Sequence, residues 1–173
     1  MEDKPWFEIY SGQTTDELIS LKSRFRVDSL LSTFVQLIMQ KEEMHGTDSI
    51  SEAERVVLAI EPFVPFVNNG GFSQFYSNSS GKDVEFIVFA LNEIGCPKTA
   101  TLANLAKNII GLPPSSSQEA YLVKISQDNT IDILLEPLND KYWEYNEDIQ
   151  WKLFAYIELN KEKIHIGANW RPN

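Results

Sequence analysis

Apolar residues recurring at helical spacing, bounded by capping and stop signals, constrain this chain more than any other feature. In VDSLLSTFVQLIMQKEEMHG, the residues Leu30, Leu31, Phe34, Val35, Leu37 and Ile38 fall at helical intervals, and Gly46 follows as a stop. SISEAERVVLAIEPF opens with Ser51 and Glu54 as Ser-x-x-Glu, where hydroxyl and carboxylate each satisfy an orphan amide at a helix start. Val56, Val57, Ile60 and Phe63 form its apolar face, and Pro62 and Pro65 are expected to end or kink it. DVEFIVFALNEIG reads as a buried helix stopped by Gly95, although FIVFA alone also suits a strand. CPKTATLANLAKNIIG sets Pro97 in a first turn and Gly111 at a C-terminal cap. LPPSSS reads as a loop over about 111–117, and a second Ser-x-x-Glu pair, Ser116 and Glu119, marks the next helix start. The stretch from Ile131 to Ile164 reads as two helices joined near Asn146, with Leu134, Leu138, Tyr142, Trp151, Phe154 and Ile157 as core candidates. IHIGANWRPN closes the chain as a short extended tail. The expected fold is all-α: one compact multi-helix domain over residues 1–173, with short irregular N- and C-terminal segments.

A chain of 173 residues buries about 70% of its unfolded surface. Its opening, MEDKPWFEIY, carries acids where a secretory leader carries bases, and no apolar stretch follows. The uncharged run Ser29 to Gln40 falls short of the roughly 20 residues a membrane span needs. A single cysteine allows no intrachain disulfide. The expectation is a soluble cytoplasmic protein.

Charge excludes one large class of partner. Twenty-five acids against fifteen bases give a net charge of −10, the reverse of a nucleic-acid binder, so direct DNA or RNA binding is not expected. The excess is uneven. Residues 61–110 hold four acids and three bases, whereas 119–148 hold eight acids and two bases. Solubility alone is the plain explanation for such an excess.

The near-neutral centre contains VNNGGFSQFYSNSSG, Val67 to Gly81. Asn68 and Asn69 suit helix caps, and Gly70 and Gly71 permit backbone angles closed to other residues. Phe72, Phe75 and Tyr76 share one face of a short helix, and Asn78, Ser79, Ser80 and Gly81 supply a second turn. Two readings are open: a tight corner pinned by aromatics, or a small polar pocket using Asn68, Asn69, Gln74 and free backbone amides.

AIEPFVPFVNNGGFSQFYSNSSG followed by ALNEIGCPKTATLANLA resembles the signature of the bacterial DNA-mimic protein family, first catalogued as a domain of unknown function and named for a neisserial DNA mimic. The resemblance rests on Glu61, Val67 to Phe75, Asn78 to Gly81, Ala90 to Gly95, and Thr99 with Ala100, and extends over about 51–160. It implies a mostly helical fold, with the motif as scaffold, and an acidic surface that occupies a DNA-binding protein's site. Fold alone does not fix that function.

Mimicry needs rows of carboxylates. Asp128, Asp132, Glu136, Asp140, Glu144 and Asp148 recur every four residues, with Glu147 beside the last. Each step of four overshoots a turn by about 40°, so the row winds around its helix. Pro137 and the Asn146 junction are expected to divide it into one cluster at Asp132 and Glu136 and another at Asp140, Glu144, Glu147 and Asp148. A solvated helix face is the plainer alternative. No catalytic constellation is visible. His45 and His165 stand in no metal-spaced motif, Cys96 before Pro97 reads as buried and inert, and the Asn-Asn-Gly-Gly corner lacks a phosphate-loop lysine. The expectation is therefore a non-enzyme with no cofactor and no metal. Its partner would be a basic protein, such as a DNA-binding regulator or a toxin neutralised in the manner of an immunity protein. The alternative is a small-ligand-binding helical protein. Trp143, Tyr145 and Trp170 are candidates for a homodimer contact, with core packing as the duller explanation.

Overall fold

Among the described residues, eight α-helices account for most of the chain and no strand occurs. The computed structural model describes residues 4–79 and 81–166, the side chains of 81 and 82 excepted. The helices are α1 (Thr15–Ser20), α2 (Val27–His45), α3 (Glu52–Ser77), α4 (Gly81–Glu93), α5 (Pro97–Ile110), α6 (Gln118–Gln127), α7 (Asn129–Tyr145) and α8 (Ile149–Leu159). The all-α expectation holds, and FIVFA is helical within α4. Within the described residues, no helix is long and apolar enough to cross a membrane. The chain groups into two compact units: residues up to Glu61 together with those from Gln150 onward, and Pro62–Ile149.

In the first unit, α2 buries Leu30, Leu31, Phe34, Leu37 and Ile38, leaves Val35 half-buried, and stops at Gly46 with φ +84°. The start of α3 buries Val56, Val57 and Ile60, and α8 buries Leu153, Phe154 and Ile157. Trp151, expected in the core, is half exposed. Leu153, Phe154, Tyr156 and Ile157 define the buried face of α8, and at 100° per residue Trp151 falls opposite them.

The Ser51–Glu54 capping box forms as the spacing requires. Glu54 N–H donates to Ser51 Oγ at 3.1 Å, and Ser51 N–H to Glu54 Oε2 at 2.8 Å. The carboxylate does more than cap. It is fully buried, receives Lys41 Nζ on both oxygens at 2.8 Å, and accepts the His165 backbone N–H at 2.9 Å. Ser51 Oγ in turn donates to the Lys163 carbonyl at 2.7 Å. One carboxylate thus ties α2, the start of α3 and the segment after α8. A buried charge is tolerable only when paired and hydrogen-bonded, as this one is.

In the second unit, α5 packs against α4, α6 and α7. Ala103 and Ala106 are buried on α5, and the Ala103 carbonyl accepts the Tyr76 hydroxyl at 2.6 Å. Pro97 sits in the first turn of α5, and Gly111 ends it in the left-handed region at φ +69°. Three expectations need correction. First, Pro62 and Pro65 lie inside α3, whose non-helical backbone is at Gly70 and Gly71. A proline forfeits one ladder bond but keeps a helix-compatible φ. Second, the cap of α6 is Ser117, which accepts the Ala120 N–H, not Ser116 with Glu119. The third residue of that helix is Ala120, so no reciprocal carboxylate is present. Third, Pro137 does not divide α7, and Leu134 is exposed while Leu135 is buried. Ile131, Leu135 and Leu138, with Tyr142 half-buried, form the inward face, and Leu134 lies a full 100° step off Leu135.

Replacing Lys41 by Met leaves a buried carboxylate without its counter-charge. Urea denaturation of Lys41→Met is expected to show a loss of about 3–5 kcal/mol, partly recovered when Glu54→Gln is added. Unchanged stability in the single variant would show that the pair does not matter to the fold.

Candidate partner-binding site

The break in α3 builds the site. Gly70 has φ −150°, ψ 23°, and Gly71 has φ +67°, ψ −167°. A Cβ on Gly71 would lie 2.5–2.7 Å from the Asn139 amide, so conformation and close approach both demand glycine there. A Cβ on Gly70 would meet the Gln74 side chain, with Oε1 at 2.3 Å. Where the helix restarts, the Phe72 N–H donates to Asn139 Oδ1 at 3.0 Å, so a residue of α7 acts as its cap.

Aromatic packing reinforces that contact. Phe72, Phe75 and Tyr76 are buried. Phe63 meets Phe75 edge-on at 4.9 Å, and Tyr142 of α7 meets Phe63 at 6.3 Å and Phe72 at 6.2 Å. Such edge-to-face pairs add to the burial of the rings. Asn68, exposed, accepts the Tyr142 hydroxyl at 3.1 Å, while Asn69 is exposed. The helix ends on side-chain caps: Asn78 Nδ2 donates to the Gln74 carbonyl at 2.8 Å, and Ser79 Oγ to the Phe75 carbonyl at 2.7 Å. Ser80 lies outside the described residues, and Gly81 begins α4. With a Ser73 hydroxyl bond to Asp132, the motif grips α7 at Asp132, Asn139 and Tyr142. These positions span about 15 Å of helix axis.

The seven candidate acids divide by role. Asp128 caps α7, pairs with Lys124 at 3.0 Å, and is held below the usual carboxylate range by the Thr130 hydroxyl and then by Lys124. Glu147 accepts the Thr99 N–H at 2.8 Å and the Thr99 hydroxyl at 2.7 Å. It thereby supplies the cap that Cys96, the N-cap residue of α5, does not provide. Asp148 is exposed beyond α7. The remaining four, Asp132, Glu136, Asp140 and Glu144, lie exposed on one continuous helix. The two expected clusters are thus replaced by a single row. Trp143, 59% exposed, and Ile133, 72% exposed, are interleaved with it.

A cleft of about 560 Å³ opens between the 70–78 stretch and the α6–α7 turn, with Gln74, Asn78, Ser126, Asp132 and Glu136 in its lining. Of the three side chains expected to form a pocket, only Gln74 lines it; Asn68 and Asn69 do not. Cys96 is buried, and His45 and His165 are exposed. Among the described residues, no three His, Cys, Asp or Glu side chains are grouped to hold a metal. Tyr145 carries Lys98 Nζ 5.2 Å from its ring centroid, and Trp170 lies outside the described residues.

Asn139 and Ser73 escaped the sequence reading. A signal for Asn139 was present: it is a lone amide beside the apolar stripe of Ile131, Leu135, Leu138 and Tyr142. Nothing local to Ser73 marks it.

These features define a class: an all-helical protein in which an Asn-Asn-Gly-Gly corner holds an acidic helix. The chain belongs to the DMP19-like protein family, whose model matches residues 48–160. It matches no curated protein and no solved structure.

Two expectations follow. Gly71→Ala should lower stability by about 1–3 kcal/mol through backbone strain alone, read by thermal or urea denaturation; no loss would contradict the left-handed backbone at that position. Burial first, and the neighbouring Cys96 second, push the Tyr142 phenol up to about 12. Its contribution to stability is therefore complete below the unfolded value of about 10 and lost as pH rises through about 12. Ultraviolet titration of Tyr142→Phe against the native chain checks this. The variant should lack one late-ionising phenol and lose less stability over that window.

Proposed function

We propose that this protein is a non-catalytic acidic interaction module that binds a basic protein, occupying the surface with which that partner would bind DNA. The exposed α7 row of Asp132, Glu136, Asp140 and Glu144 carries this reading, and family membership supports it. Consecutive members rise about 6 Å and turn about 40°, tracing a right-handed spiral with a pitch of about 54 Å. A strand of duplex DNA is also a right-handed row of anions, with one charge per about 3.4 Å of axis and a turn of about 34 Å. The row thus has the hand of a DNA strand at about half its charge density.

Binding through such a row should fade with salt, since screening already acts over about 8 Å at physiological ionic strength. Three baits test it: the native chain, Asp140→Asn with Glu144→Gln, and Glu42→Gln with Glu43→Gln as an equal charge change on α2. A basic protein should be retained by the native and α2 baits at about 50 mM salt, released near 300 mM, and displaced by duplex DNA. Equal retention by the α7 bait, or no displacement by DNA, would sink the reading.

A further inference from the structure

The cleft beside the acidic row has one-sided charge: among its described lining residues the only charged side chains are Asp132 and Glu136. Its volume of about 560 Å³ falls in the range of small-ligand sites, about 300–1,000 Å³, yet polar groups dominate its lining. Ser73 and Ser126 each have one hydroxyl proton. Ser73 gives its proton to Asp132, and Ser126 to the Val123 carbonyl at 3.1 Å, so each oxygen is left as an acceptor. Asn78 donates to the Gln74 carbonyl at 2.8 Å and keeps its Oδ1 as an acceptor. Asp132 and Glu136 accept only.

Among the described side chains, no Lys, Arg or His lines the cleft. Lys124, the basic residue nearest in sequence to Ser126, is paired with Asp128. Neither Asp132 nor Glu136 has an ion-pair partner among the described residues. Two negative charges, the acceptor oxygens of Ser73, Ser126 and Asn78, and no cation among the described side chains make a site for a cation rich in donors. A guanidinium brings five N–H donors in a planar fork and no acceptor, so it matches carboxylates and amide oxygens spread over two walls better than an ammonium does.

We propose that the cleft receives the guanidinium of an arginine presented by the basic partner. Asp132 and Glu136 act as its counter-charges, and the Ser73, Ser126 and Asn78 oxygens as further acceptors. This assignment rests on the interaction reading above and names the partner's chemistry at one point of it. The occupant is protein-borne because the α7 edge of the cleft continues beyond it. Asp132, Glu136, Asn139 and Trp143 follow at i, i+4, i+7 and i+11, and Trp143 is 59% exposed. It lies about 10 Å along the axis from Glu136, within reach of the segment that carries the arginine but beyond a small cation held in the cleft.

The test titrates the ¹⁵N-labelled full chain with N-acetyl-Gly-Arg-Gly-amide, with its citrulline counterpart, which is neutral and nearly isosteric, and with spermidine. The arginine peptide should shift the Ser73, Gln74, Ser126 and Asp132 amides saturably, and the citrulline peptide should not. Asp132→Asn with Glu136→Gln should weaken binding roughly tenfold or more. Glu136→Gln alone serves if the double variant melts lower, since Asp132 also holds Ser73. Shifts outside the cleft, no shifts, or equal shifts from citrulline overturn the proposal. Spermidine binding in place of the peptide also overturns it, in favour of a polyamine site. A partner retained through Asp140 and Glu144 but indifferent to Asp132 and Glu136 would overturn the cleft alone and leave the acidic row standing.

Discussion

The bond between Asn139 and the Phe72 N–H is the contact on which the site depends. It caps a helix that restarts after a glycine break, and it does so from the middle of another helix. Gly71 must be glycine for Asn139 to come so close. The amide fixes the rotation of α7, with Tyr142 and the Phe63–Phe72 rings one turn beyond it and Asp132 two turns before it. Ile131, Leu135 and Leu138 then face inward, so the carboxylates at 132, 136, 140 and 144 are carried to the other sides of the helix. The near-neutral motif and the acidic helix, separate in sequence, are one device.

That device holds an arrangement α7 would not favour alone. Like charges four residues apart destabilise a helix by about 0.2–0.5 kcal/mol per pair, and α7 contains three such pairs in succession. Its last turn has no basic residue and carries Glu144, against the negative end of the helix dipole. Asp128 and Asp132 at the other end agree with the dipole. Local conflict of this kind, offset by tertiary contacts, marks functional surfaces more often than structural ones. A fixed row of charges also costs less to order on binding than a flexible acidic segment.

Much of the helical fold was legible because its signals are local. The Ser51–Glu54 box, Pro97 in a first turn, Gly111 as a cap and Asn146 as a junction, at φ 43°, act within a few residues of themselves. The prolines misled because Pro62, Pro65 and Pro137 sit inside helices whose packing outweighs one lost bond each. Leu134 and Trp151 misled because hydrophobicity alone does not say which side of a helix turns inward. The site was legible in its ingredients, not in its assembly. The glycines and aromatics were visible as a corner, and the acids as a row. What joins them, Asn139 to Phe72 and Ser73 to Asp132, spans 67 and 59 residues and leaves no local pattern. Glu147 looked like one more surface acid, yet caps α5 through Thr99, 48 residues away.

The central claim is that the motif holds the acidic helix in place, and amide hydrogen exchange of Asn139→Ala against the native chain tests it most directly. The account predicts faster exchange along α7, over about 131–145, together with the start of the restarted helix at Phe72 and Ser73. Unchanged protection in α7, with loss confined to the 70–77 stretch, would contradict it and leave the corner as a local turn.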